Sequence, residues 1–84
     1  MINSDHDIAV KRLRYRSWHR GCKETDLILG RFADSALANL DPALLETYEK
    51  LLNENDADIW DWISGKEAPK EYVGLLQMLQ GIGH

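Results

Sequence analysis

The sequence predicts an all-α protein, a compact bundle of about five short helices. Apolar residues recur at spacings of three and four along most of the chain, which is the period of one face of a helix. No segment alternates apolar and polar residues over enough length to form a β-strand. Glycine and proline separate the periodic segments, at points where helices are expected to end and begin.

Length and composition limit the class of protein. The 84 residues suffice for one domain, residues 1–84, with residues 1–6 and 81–84 expected to fray. The single cysteine, Cys22, permits no disulfide within the chain, which fits a reducing compartment. The sequence contains no apolar leader and no run of 18 apolar residues, so we expect a cytoplasmic protein that inserts in no membrane.

Charge is distributed unevenly along the chain. Residues 1–31 carry seven Lys or Arg against four Asp or Glu, a balance of +3. Residues 32–84 carry three against ten, a balance of −7, which brings the whole chain to −4. Such a split indicates either a partner that binds one face or a solvated basic helix on an acidic bundle.

The first helix is predicted from about Asp7 to His19. Acidic residues near its start and arginines towards its end suit the helix dipole, and Gly21 is a typical signal for a helix end. Its apolar stripe is loose, so we expect it on the outside of the bundle, with its cations in solvent or on a partner.

The second helix is predicted to begin near Lys23, with Glu24 and Asp26 in its first turn, where the dipole favours acids. Gly30 lies inside this helix and costs about 1 kcal/mol relative to alanine. Close packing against another helix would explain it. The core-facing residues of this segment follow the helical period: Leu29, Phe32, Ala33, Ala36, Leu37 and Leu40.

Capping signals define the third and fourth helices. Asp41-Pro42 combines an N-cap residue with proline at the first helical position, and so marks the start of the third helix. Either Asn55 or Asp56 can cap a short fourth helix, which Gly65 is expected to end.

The fifth helix is predicted from Lys70 to about Gln80. Trp60 is expected inside the bundle, whereas Trp62 suits the core edge and an interface about equally. The pattern of all five segments predicts a core that includes Phe32, Leu45, Leu52, Trp60, Ile63, Leu76 and Leu79.

Catalytic and metal-binding patterns are missing from the sequence. His6, His19 and His84 have no nucleophile at a motif spacing, and a catalytic triad needs an oriented base and an oxyanion site. One cysteine and scattered histidines offer no zinc-binding spacing. We therefore expect neither an enzyme nor a resident metal.

The segment Arg20-Gly21-Cys22-Lys23-Glu24 forms the corner between the first two helices. It can be a helix end followed by a helix start, with a local Arg20–Glu24 ion pair that contributes about 0–1 kcal/mol if exposed. Alternatively, Gly21 lets a partner approach the backbone while Arg20 and Glu24 supply oriented charge. Arginine offers a planar fork that suits carboxylates.

The basic segment Lys11–Arg16 supports a different interpretation. Its cations and its tyrosine could follow a phosphate backbone, which would make the protein a small nucleic-acid-binding or regulatory interaction module. The acidic remainder of the surface would repel a polyanion, so we expect no nucleic-acid partner.

The corner and a second stretch resemble a known family. Arg20-Gly21-Cys22-Lys23-Glu24 matches the RGxxE motif of the succinate dehydrogenase assembly factors, also called the SdhE or FAD assembly factor family. The acidic and aromatic run from Asn55 to Ile63 resembles the second motif of that family. The likeness covers about residues 10–80.

The resemblance implies a five-helix helper protein, and from the apolar stripes we expect a monomer. It would bind the flavoprotein subunit of succinate dehydrogenase, and in some bacteria that of fumarate reductase, and promote covalent FAD attachment. FAD and its acceptor histidine would belong to that client, so we expect no cofactor and no catalytic residue in this chain. Family likeness assigns Arg20, Gly21 and Glu24 to the partner-binding patch. Proximity adds four residues to that patch: Arg16, Trp18, His19 and Asp26.

Overall fold

The computed structural model describes residues 5–82. These residues form five α-helices and contain no β-strand, which confirms the predicted all-α class. Two short 3₁₀ helices, Leu37–Asn39 and Lys70–Tyr72, precede α3 and α5. Residues 5, 6, 81 and 82 are helical, and the other residues expected to fray lie outside the described range. The five helices are α1 (Asp5–Trp18), α2 (Lys23–Ala36), α3 (Pro42–Leu52), α4 (Asp56–Ile63) and α5 (Val73–Ile82).

Helix ends differ from the predicted ones by a few residues. The first helix begins at Asp5 rather than Asp7 and ends one residue before His19. The second ends at Ala36, and the chain continues as the 3₁₀ helix Leu37–Asn39. A 3₁₀ turn tightens the end of a helix, and here Leu37 and Leu40, the last residues of the predicted apolar stripe, remain buried.

The capping signals are confirmed by hydrogen bonds. An Asp41 carboxylate oxygen accepts the Leu44 N–H at 2.8 Å, with Pro42 at the first position of α3. Of the two candidates for the fourth helix, Asn55 is the N-cap, and its side-chain oxygen accepts the Asp58 N–H at 3.0 Å. Side-chain caps satisfy N–H groups that have no partner inside the helix.

The core lies around α2, which packs against α1, α4 and α5. Every α-helix contributes fully buried side chains, although in α1 the fully buried one is polar, Ser17, and the apolar Val10 and Leu13 are 5% and 3% exposed. Of the predicted core residues, five are buried: Phe32, Leu45, Leu52, Leu76 and Leu79.

The predicted burial of Trp60 is wrong. Its side chain is 40% exposed, and Ile59 is the α4 residue that reaches the core. Ile63 is half-buried against the core, and the Trp62 ring stacks on Tyr72 with centroids 5.6 Å apart. A surface helix buries one stripe at spacings of three and four. In α4 that stripe runs through positions 59, 62 and 63, which turns Trp60 outward.

Candidate functional site

Close packing of α1 on α2 sets the position of the corner. The Trp18 ring lies against Gly30, and a Cβ at position 30 would overlap the indole. The indole N–H also donates to the Asp34 carboxylate at 3.3 Å. The close packing of α1 on α2 therefore explains the glycine at position 30, as predicted. Trp18 is the α1 side chain that fills the space beside it.

Gly21 has the backbone conformation expected of a glycine at a helix end. Its φ is +101°, a region that L side chains rarely adopt. The residue is exposed, and apart from Gly21 itself and its two chain neighbours no described atom lies within 4 Å of the position that a Cβ would take. The fold thus needs glycine here for its conformation, and the space beside it is open to a partner.

Asp26 holds the corner from inside. Its two carboxylate oxygens accept the backbone N–H groups of Arg20, at 3.0 Å, and Gly21, at 3.3 Å. Because a carboxylate in the first turn of α2 also suits the helix dipole, Asp26 stabilises both the turn and the helix that follows.

Arg20 fastens the corner to a distant part of the chain. Its guanidinium donates to the carbonyl oxygens of Leu52, at 2.5 Å, and Glu54, at 2.6 Å. It also pairs with the Asp56 carboxylate at 2.6 Å, and its side chain is only 11% exposed. The ion pair therefore runs to α4 and not to Glu24, which corrects the local pair considered for the motif.

Arg16 makes a second tie between the same elements. Its guanidinium donates to the side-chain oxygen of Asn53 at 2.7 Å. Since Asn53 ends α3, Arg16 and Arg20 together connect the end of α1 to the α3–α4 connection.

A buried polar pair lies within the bundle near the end of α1. The Ser17 hydroxyl donates to the Leu13 carbonyl at 2.7 Å and lies 2.6 Å from the Tyr48 hydroxyl. The Tyr48 hydroxyl is also 3.3 Å from the Leu29 carbonyl. Burial raises the pKa of Tyr48 to about 12, against the opposing effect of the Ser17 hydrogen bond. The signal missed in the sequence was a serine in phase with Val10 and Leu13.

On the outward side of the corner, Glu24 is exposed. Its carboxylate accepts a long 3.6 Å bond from the Cys22 thiol, and no other described residue forms an ion pair with it. The two residues line a groove of about 430 Å³ with Asp56, Ala57 and Trp60. Trp60 therefore lies beside the motif. The sequence pattern did not predict this position, because it placed Trp60 inside the core.

Aromatic and basic side chains lie on the α1 side of the corner. The Tyr15 and His19 rings are 4.2 Å apart, and Tyr15 is 67% exposed. With Arg16 and Arg20 they line a shallow pocket of about 280 Å³. His19 is thus accessible to a partner, although nothing in its surroundings orients it as a general base.

The predicted site residues divide into two groups. Gly21, Glu24 and His19 face outward. Four others make contacts that hold the corner together: Arg16, Trp18, Arg20 and Asp26. Among residues 5–82, no cluster of three or more His, Cys, Asp or Glu side chains could hold a metal ion.

The fold and the corner define a small helical module whose exposed features suit contact with another protein. Residues 11–83 match the model of the family described as flavinator of succinate dehydrogenase. The chain belongs to that family. None of the described helices has the length and apolar character needed to cross a bilayer.

Curated relatives agree with the family model. A protein of Schizosaccharomyces pombe is 43% identical over 67 residues, 79% of this chain and 48% of its own length. One of Dictyostelium discoideum is 43% identical over 72 residues, 83% of this chain and 51% of its own. Both are named succinate dehydrogenase assembly factor 2, mitochondrial. The chain thus spans about half the length of these relatives.

Proposed function

We propose that this protein is an assembly factor that binds the flavoprotein subunit of succinate dehydrogenase and promotes covalent FAD attachment to it. Family membership and the names of the relatives support the proposal. The observation that carries it is the division of the motif, in which one set of residues holds the corner and leaves Gly21 and Glu24 facing outward.

The protein acts by orientation and not by supplying a reacting group. Bound to the client, it favours the conformation in which the flavin and the acceptor histidine of the client are aligned. Gly21 and Glu24 contact the client directly. Arg16, Trp18, Arg20 and Asp26 are positioning residues. Their contacts hold the corner in the conformation that presents Gly21 and Glu24 to the client.

The test is the amount of covalent flavin on the flavoprotein subunit from the same host, measured by in-gel fluorescence with and without this protein. We expect a clear gain with the wild-type chain, most of which Glu24→Ala removes. His19→Ala should retain the gain and should carry no flavin itself. Equal flavin in all samples would refute the proposed function.

The chain is also proposed to act as a monomer in the cytoplasm and to carry no flavin of its own. The relatives are named mitochondrial, so the compartment is tested by fractionation of the host. Sedimentation of the purified chain tests whether it is a monomer. The absorbance of the same sample at flavin wavelengths tests whether it carries a flavin.

The nucleic-acid alternative loses support from the contacts of the basic helix. Arg14 lies 3.4 Å from the Asp34 carboxylate, and Arg16 donates to Asn53. These cations are therefore partly engaged within the protein. A pull-down from the host separates the two interpretations, because it recovers a flavoprotein subunit in one case and nucleic acid in the other.

A further inference from the structure

The groove beside Glu24 lies where two helices begin. Its lining comes from the start of α2, with Cys22 and Glu24, and from the first turns of α4, with Asp56, Ala57 and Trp60. Its volume of about 430 Å³ is large enough to admit a protruding side chain. Cys22 directly follows the exposed Gly21 in sequence, so the groove begins one residue from the glycine.

The charge of the groove is negative. Its described lining includes two carboxylates and no cation. Arg20 forms an ion pair with Asp56 and neutralises its charge, whereas Glu24 accepts a weak hydrogen bond from the uncharged Cys22 thiol. Lys23, the cation next to Glu24 in sequence, lines a separate groove with Gly21. One carboxylate charge therefore remains available to an occupant.

The helix dipoles do not reverse this polarity. The N-terminus of a helix favours anions. Here, however, each helix already carries its own acids in the first turn, Glu24 in α2 and Asp56 and Asp58 in α4. A further anion would meet these carboxylates, so the groove favours a cation.

Trp60 adds a recognition surface for that cation. Its ring is 40% exposed in a groove that also holds a carboxylate. Tryptophan is the aromatic side chain that attracts cations most strongly to its face, and arginine is the cation most often found there. A purely apolar occupant would instead bury Glu24 without a partner, which is costly.

We propose that this groove binds an arginine or lysine side chain of the flavoprotein subunit, held between the Trp60 ring and the Glu24 carboxylate. The inference rests on the proposed function and adds that the client contributes a cationic side chain to the groove. It also explains why a large aromatic side chain of α4 lies outside the core, beside the motif corner.

Binding of the FAD-free flavoprotein subunit, measured by calorimetry at several salt concentrations, tests the proposal. Glu24→Gln keeps the shape of the side chain and removes its charge. We expect it to weaken binding about tenfold or more and to reduce the salt dependence. Trp60→Leu should weaken binding about tenfold, and Trp60→Phe less, because phenylalanine retains an aromatic face.

Matched variants outside the groove separate recognition from general effects. Glu67→Gln removes an exposed acid from the loop after α4, and Val73→Ala shortens an exposed apolar side chain. Both should bind as the wild type does. All variants should keep the wild-type circular dichroism spectrum, so that a loss of binding reports the groove.

The identity of the occupant is read by cross-linking. With p-benzoylphenylalanine in place of Trp60, the cross-linked client peptide should contain arginine or lysine at the attachment site. A peptide without either residue there would overturn the proposal. Unchanged affinity of Trp60→Leu would also overturn the proposal. So would weakened binding by Trp60→Leu together with unchanged binding by Glu24→Gln, because that combination indicates an apolar occupant.

Two further outcomes are distinct from these. If the wild-type chain fails to bind the flavoprotein subunit at all, the proposed function fails and the groove assignment fails with it. If the chain alone forms a dimer that Trp60→Leu dissociates, measured by sedimentation, the occupant is a second copy and the client assignment of the groove is wrong.

Discussion

Arg20 and Glu24 belong to one five-residue motif, but the fold uses them differently. The Arg20 guanidinium is largely buried and bonded to two carbonyl groups and a carboxylate from the α3–α4 region. Glu24 is exposed, and its described contact is a long bond from a thiol. Two oppositely charged residues four positions apart are thus not a pair with each other.

The difference separates stability from recognition within the motif. Arg20 and Asp26 hold the corner in place, whereas Gly21 and Glu24 are exposed and, in the proposed function, contact the partner. Variants should therefore fall on a scale, from those that unfold the protein to those that remove binding with little loss of stability.

Arg20→Ala should have the largest effect on stability. It leaves Asp56 and two carbonyl groups without their donor, and breaking a buried pair costs about 3–5 kcal/mol. We expect the Tm, measured by circular dichroism, to fall by more than about 10 °C. Arg12→Ala, which removes an exposed arginine of α1, is the control and should change the Tm little. Equal Tm values for the two variants would contradict the inward role of Arg20.

Gly30→Ala should come next. The added Cβ would overlap the Trp18 ring, and overpacking of this kind costs about 1–3 kcal/mol. Gly74→Ala in α5 is the matched control, because the added methyl meets no described atom within 4 Å apart from its chain neighbours and the nearby backbone of α5. Alanine there should stabilise the helix by up to about 1 kcal/mol. Chemical denaturation measures both, and the same sign for both variants would reject the steric explanation.

Tyr48 should make stability fall at alkaline pH. Its pKa is raised from 10.0 to about 12 because the neutral hydroxyl is buried. The folded state then holds the proton longer than the unfolded state, so this contribution is complete below pH 10 and is lost as pH rises towards 12. Two pKa units correspond to roughly 3 kcal/mol.

The alkaline loss is measured by denaturation between pH 9 and pH 12 in variants of Tyr48 and Tyr15. Tyr48→Phe should flatten the pH dependence, and exposed Tyr15→Phe should leave it unchanged. Some dependence should remain in Tyr48→Phe, because burial also raises the pKa of Tyr72 to about 12. An undiminished slope in Tyr48→Phe would exclude this residue as the source.

Gly21→Ala should cost about 1–2 kcal/mol, because its φ of +101° is unfavourable for a residue with a Cβ. Gly65→Ala is a close control, since φ is +114° there and the added methyl is equally free of described neighbours. Both variants should lose similar stability, but Gly21→Ala alone should also reduce covalent flavin on the client. Equal flavin for the two would remove Gly21 from the interface.

Glu24→Ala should have the smallest effect on the Tm and a large effect on client flavinylation. The helix dipole contributes at most about 1 kcal/mol at an exposed first-turn acid. Desolvated by a partner, however, an interface carboxylate can be a binding hot spot. If the variant keeps both its Tm and full flavinylation of the client, the corner is only a structural turn and Glu24 has no role in binding.

Local signals account for the parts of the fold that were predicted. Asp41, Asn55 and Gly65 act through residues within one helical turn, so their roles can be inferred from short stretches. The buried leucines follow the helical period for the same reason.

The missed features depend on contacts that a short stretch does not contain. Arg20 has an acid four residues away, yet its acceptors lie 32 to 36 residues away. In the short α4, several apolar phases are compatible with burial, and packing against Tyr72 selects Trp62 over Trp60. Ser17 is buried because Tyr48 meets it, 31 residues along the chain.

The distant acceptors of Arg20 have a consequence for synthesis on the ribosome. The motif is made early, but its arginine is anchored by Leu52, Glu54 and Asp56. A nascent chain that has not yet exposed residue 56 lacks the anchor and presents an incomplete corner. The proposed client surface is therefore completed late in translation, so we expect a truncated product that retains the whole motif to be unable to compete for the proposed client.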